Sequence, residues 1–207
     1  MSYLAVLGSV MAVHLAAVMS PGPNFLVVTQ TSVSASRYSG LAAALGVALA
    51  APLWAAAALF GVSVFFEAAP WLYRLLKLFG GAYLVYLGVQ SWRHAREPLA
   101  GGDVAGRAPS GWRAFRLGFL TNLTNPKSAI FFGSIFSALL SPDLPLWVRM
   151  AAIGVVFADA FCWYLVVATL FSARRVQRAY VGAKRCIDRA VGGFLALLGL
   201  KLVFSSR

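Results

Sequence analysis

Two short proline-containing stretches, Ser20-Pro21-Gly22-Pro23-Asn24 and Thr124-Asn125-Pro126-Lys127, interrupt apolar runs of the chain. Pro21 and Pro23 lack a backbone N–H and clash with the preceding turn, and Gly22 adds freedom, so a regular helix cannot run through the first stretch. Such a break frees carbonyls on its N-terminal side. It also leaves unpaired N–H groups at the start of the next half-helix, near Asn24, Phe25 and Leu26. A half-helix N-terminus carries the positive end of the helix dipole and can hold an anion such as a carboxylate. The second stretch repeats the arrangement. Pro126 breaks the helix, Asn122 and Asn125 can satisfy freed backbone groups, and Lys127 adds a full positive charge. A single proline would read as a simple kink, whereas two matched breaks favour a binding site.

Two further polar residues stand in apolar surroundings. Asp159 lies within AIGVVFADAFCWYLVV, where an isolated carboxylate costs several kcal/mol unless paired or protonated. It is the best candidate proton carrier, and the bland alternative is a static pair with Lys127. His14, ten residues before Asn24, is a second candidate for proton coupling, or a neutral side chain bonded to a neighbouring helix. Thr29, Gln30 and Thr31 follow the first break and can line the same cavity, although threonines bonded back to their own helix are ordinary.

The elements that must position these residues are transmembrane helices. Of the 207 residues, 60% are hydrophobic and 12% charged, too little polar surface for a soluble domain of this size. No Asp, Glu, Lys or Arg occurs from Met1 to Ser36 or from Tyr38 to Phe66, runs longer than the roughly 20 residues that cross the hydrocarbon core. The first run lacks the basic start and cleavage site of a secretory signal. Six spans are expected, near residues 4–32, 40–66, 70–92, 114–140, 147–172 and 187–205. The fold class is therefore an all-α integral membrane protein. One transmembrane domain occupies residues 1–207, with a linker at about 94–112 and a tight connection at Ser141–Pro145.

The net charge of +12 is distributed between apolar runs and forms no single face with interleaved aromatics, so anionic lipid and topology explain it better than nucleic acid. Arg37, five arginines between Arg93 and Arg116, and the basic run from Arg174 to Arg189 fall on the first, third and fifth connections. The opposite side holds only Arg74, Lys77, Arg149, Lys201 and Arg207. Basic loops stay in the cytoplasm, which places both termini in the periplasm. Cys162 and Cys186 have no partner at metal-ligand spacing and suggest neither a disulfide framework nor a zinc site.

The two halves of the chain resemble one another. Ala43-Ala44-Leu45-Gly46-Val47 parallels Ala151-Ala152-Ile153-Gly154-Val155, and the segment from Gly81 to Gly88 parallels that from Gly192 to Gly199. The order of proline break, Ala-Gly helix and Gly-aromatic helix thus occurs twice, in repeats of about 1–93 and 113–207. With three spans each, the second copy must enter the membrane from the opposite side. The expected architecture is an inverted 3+3 bundle with helices 1 and 4 broken. Small residues such as Gly46, Gly88 and Gly199 suit close helix crossings, within the chain or in a dimer.

Taken together, SPGPNFLVVTQTS, GLAAALGVAL, LTNLTNPKSAIFF and the fifth-span Asp and Trp-Tyr pair resemble the LysE/RhtB family of small bacterial amino-acid exporters. The resemblance covers essentially the full chain. It implies export of amino acids such as lysine, arginine, threonine, homoserine or leucine across the inner membrane, driven by the proton-motive force. It requires no cofactor, and the small size of such proteins suggests a homodimer. The family's PGP and NPK segments fall here on Pro21, Gly22, Pro23 and Asn24 and on Asn125, Pro126 and Lys127. The substrate carboxylate is then expected at the half-helix N-terminus and Lys127, with its ammonium near Asp159 and the freed carbonyls.

Other classes fit less well. A divalent-metal exporter would need more than a single buried carboxylate. A non-transporting membrane assembly protein remains as a rival. An enzyme would need a catalytic constellation, and no paired carboxylates, Ser-His pair or HExxH helix is present.

Overall fold

A computed structural model describes residues 2–68, 70–96, 110–139, 144–171 and 173–204. The described residues form eight α-helices and no strand. They are α1 (Tyr3–Met19), α2 (Pro23–Ser34), α3 (Arg37–Ala68), α4 (Pro70–Arg93), α5 (Gly111–Leu123), α6 (Pro126–Leu139), α7 (Leu146–Leu170) and α8 (Arg174–Phe204). A single 3-10 turn, His94–Arg96, follows α4. Most of the linker and Ser141–Asp143 of the tight connection lie outside the described residues.

Both proline stretches end one helix and begin another. Ser20 leaves α1 in an extended conformation, Gly22 is extended too, and Pro23 opens α2, so α1 and α2 meet at 57°. Proline is well suited to a first helical position, where its missing N–H would have had no partner. Pro126 opens α6 in the same way after the turn at Thr124 and Asn125. Pro52 differs, because α3 runs through it unbroken.

Among the described residues, α7 and residues 37–60 of α3 are long and apolar enough to cross a membrane, and the bent α1/α2 pair makes a third span. Among the described residues there are thus two or three clear membrane spans where the sequence suggested six. The remaining predicted spans coincide with α4, the α5/α6 pair and α8. The last of these departs from expectation, since α8 begins at Arg174 and not near residue 187. The basic stretch read as a loop is helical because it holds Arg, Ala and Lys, good helix formers, and no proline. Leu4, Leu53, Leu197 and Phe204 are exposed on the outside of the bundle, as lipid-facing residues are.

Close crossings hold the helices together. α3 lies against α5 and α7, α1 against α7, and α4 against α8 and α6. A β-carbon on Gly88 would lie 2.5 Å from the carbonyl oxygen of Gly192, and one on Gly199 would lie 2.5 Å from that of Gly81. Only glycine permits backbones so near, and the gain is dispersion contact between helices. Gly46 and Gly118 allow the same approach of α3 and α5, whereas Gly154, the counterpart of Gly46, faces open space.

Candidate functional site

The ends of the half-helices enclose a cavity lined by His14, Ser20, Gly22 and Asn24 of the first span, Asn122, Asn125, Lys127 and Ser128 of the α5/α6 pair, and Ala160 and Tyr164 of α7. Phe25, Phe131 and Phe132 supply apolar wall. The cavity measures about 40 Å³.

Asparagine amides join the two breaks. Asn24 Nδ2 donates to Asn122 Oδ1 at 3.1 Å, and Asn125 Nδ2 donates to Asn24 Oδ1 at 3.3 Å. Ser128 Oγ lies 2.7 Å from the same Asn122 oxygen, and Asn122 Nδ2 donates to the Val47 carbonyl of α3 at 2.8 Å. Trp54 Nε1 donates to the Asn122 carbonyl at 3.1 Å, which answers a group the break had freed. Asn122 and Asn125 are buried, so these bonds replace water that cannot reach them.

The two half-helix N-termini differ. Asn125 Oδ1 accepts from the Lys127 backbone N–H at 2.9 Å and so caps α6. The residue before α2 is Gly22, which has no side chain to cap with. The start of α2 therefore keeps its capacity for an anion, and Lys127 stands beside it. Lys127 Nζ donates to the Ser20 carbonyl at 3.4 Å and lies 3.7 Å from where a β-carbon on Gly22 would be. A positive side chain and a positive helix end converge there, which is a carboxylate-binding arrangement.

The structure brings six of the ten sequence-predicted residues together in the lining and leaves four outside it. His14, Gly22, Asn24, Asn122, Asn125 and Lys127 line the cavity, while Pro21, Pro23 and Pro126 shape its backbone and are not part of its lining. Asp159 is also outside the lining. Its Oδ2 lies 3.3 Å from His14 Nδ1, and the two side chains are 10% and 4% exposed. The static pair of Asp159 with Lys127 weighed from the sequence is replaced by a pair with His14. His14 in turn lies against the rings of both Phe131 and Phe132, at 6.0 and 5.5 Å.

Sequence reasoning missed Tyr164 and Ser128 as parts of the site. It also missed a second buried carboxylate, Asp188, which accepts from Lys184 Nζ at 2.8 Å. The spacing of four residues between Lys184 and Asp188 was the available signal, hidden because the stretch read as a loop. Among the described residues, no three His, Cys, Asp or Glu side chains stand together as a metal site.

This constellation sits in a chain whose residues 15–206 match the family model described as LysE type translocator. The chain belongs to the LysE type translocator family. It is a helical membrane protein of that family. The translocator is 36% identical over 200 residues to a threonine efflux protein of Escherichia coli K12, with 95% of this chain and 97% of that one covered. It is 26% identical over 190 residues to a homoserine/homoserine lactone efflux protein of Salmonella typhimurium LT2, covering 89% of each chain. An uncharacterized membrane protein of Haemophilus influenzae is 30% identical over 196 residues, with 93% of each chain covered. No solved structure matches this translocator.

Proposed function

We propose that this translocator exports a small, uncharged-side-chain amino acid of the threonine and homoserine class from the bacterial cytoplasm, by proton antiport with alternating access. The observation that carries the reading is the convergence of Lys127 with the uncapped start of α2 on one cavity. That pairing answers the α-carboxylate, which every amino acid carries.

The rest of the lining supports a small polar side chain. Asn24, Asn122, Ser128 and Tyr164 offer hydroxyl and amide partners, and no Asp or Glu is among the lining residues. A lysine or arginine side chain would bury its charge there unanswered. The names of the relatives, threonine efflux and homoserine efflux, agree with this choice.

In this reading the cavity must open toward each side of the membrane in turn. The inverted repeat provides the means. Gly81 and Gly88 correspond to Gly192 and Gly199, and they meet crosswise, Gly81 with Gly199 and Gly88 with Gly192. A two-fold axis between antiparallel helices relates contacts in that crossed way. The contact of α3 with α5 likewise has its counterpart in α7 with α1. In this reading the six spans form one domain in the inner membrane, with both termini periplasmic as the basic loops favour. His14 touches the cavity and Asp159 stands behind it, so the pair is assigned the proton that moves opposite to substrate.

Purified protein in proteoliposomes, loaded with labelled amino acids one at a time, tests the reading. Gradient-stimulated movement of threonine or homoserine, with little movement of lysine or arginine, is expected. No movement of any amino acid would refute it.

A further inference from the structure

A cavity that suits a carboxylate leaves the second charged group of an amino acid to be answered. Lys127 and the start of α2 serve the carboxylate, but no Asp or Glu is among the lining residues. Asp159, expected from the sequence at the substrate ammonium, stands outside the lining, and its Oδ2 meets His14 instead. An ammonium buried without an acceptor is costly, so a group that does line the cavity must take it.

His14 is that group. Its Nδ1 lies 3.3 Å from Asp159 Oδ2, and with the carboxylate ionised Nδ1 carries the proton and donates. The lone pair of the neutral ring is then on Nε2, which makes no hydrogen bond among the described residues, and His14 is the member of the pair that lines the cavity. The imidazole is 3% exposed and lies against Phe131 and Phe132, so bulk water competes poorly for it. The charged groups around it are few. α1 packs against α7, α8 and α6. Of these, α7 brings Asp159 and Tyr164, α6 brings Lys127, and the buried Lys184 and Asp188 of α8 pair with each other.

We propose that His14 Nε2 receives the α-ammonium of the substrate, and that the transported proton occupies this same nitrogen when the substrate has left. The inference rests on the amino-acid reading given above and supplies its coupling step. A neutral imidazole accepts a hydrogen bond from the ammonium, and Asp159 behind it balances the positive charge. Once Nε2 is protonated its lone pair is used, and the imidazolium repels the ammonium. One nitrogen therefore holds a proton or an amino acid and never both, which enforces exchange of one for the other. The displaced proton passes to water on the side from which the substrate enters, and the ammonium keeps all its own protons.

Calorimetry of ligand binding to the purified full-length protein, repeated in buffers of differing ionisation enthalpy, counts the protons released. Between about pH 5 and 8, where histidines titrate, L-threonine is expected to release up to about one proton on binding. Its affinity should fall by up to about tenfold for each pH unit of acidification. The 2-hydroxy analogue of L-threonine, with a hydroxyl in place of the ammonium, is expected to bind wild-type protein without releasing a proton, a comparison that needs no variant. His14→Gln keeps an amide oxygen that accepts from an ammonium but takes no proton, so its affinity for L-threonine should be independent of pH in this range. Equal proton release by the two ligands, proton release by His14→Gln, or threonine binding to wild type with no proton released overturns the role of His14 and leaves the amino-acid reading standing. A wild-type protein that binds no amino acid overturns both.

Discussion

Lys127, at the second position of α6, reaches across the cavity to the carbonyl oxygen of Ser20 at the end of α1, 3.4 Å from its Nζ. The carbonyl is one of those freed where the helix stops before Pro21, so the break in one half of the chain is answered by the charge in the other. A carboxylate entering the cavity would meet Lys127 already held at the start of α2.

Replacing Lys127 by Met should remove the charge while keeping most of the bulk. Loss of a buried charge partner costs about 2–5 kcal/mol, which corresponds to at least about thirtyfold weaker substrate affinity. Binding of L-threonine to the purified variant checks this, and wild-type affinity in Lys127→Met would rule out Lys127 as the carboxylate site.

Asn122→Ala should destabilise the protein more than Asn24→Ala. Asn122 serves the Val47 carbonyl, Ser128 and Asn24 from a fully buried position, whereas Asn24 is only half-buried. Each buried polar group left without a partner costs about 1–3 kcal/mol. Thermal unfolding in detergent should show a fall of several degrees for Asn122→Ala, and equal melting temperatures would contradict the network's role.

Asp159→Asn and His14→Gln should uncouple transport from protons without emptying the substrate site. His14 is part of the lining and its partner Asp159 stands outside it. Exchange of labelled for unlabelled threonine across proteoliposomes should persist, and stimulation by an imposed pH gradient should disappear. Full gradient stimulation in Asp159→Asn would sink the assignment.

Gly88→Val and Gly192→Val should each separate α4 from α8, because the added carbons meet backbone atoms that cannot yield. Overpacking of this kind costs about 1–3 kcal/mol or more. Gly154→Ala, with nothing within 4 Å of its new β-carbon, should leave the melting temperature within about a degree of wild type. A melting temperature for Gly88→Val as high as that of Gly154→Ala would show that α4 and α8 do not cross as described.

The local consequences of composition were legible in the sequence. Long charge-free runs required a membrane, and Pro23 and Pro126 located both helix starts, because a missing N–H acts on its own helix whatever surrounds it. The PGP and NPK stretches pointed to the family that the whole-chain match then established. Which side chains meet was decided by the tertiary structure. His14 and Asp159 are 145 residues apart, Lys127 and Ser20 are 107 apart, and both pairings depend on how helices rotate and cross. From the sequence Asp159 faced Lys127, since both were buried charges, but helix packing turned it toward His14. Asp188 stayed hidden for the same reason. Its neighbours along the chain are basic and resemble a solvated loop, and only the packing of α8 against α4 removes its carboxylate from water.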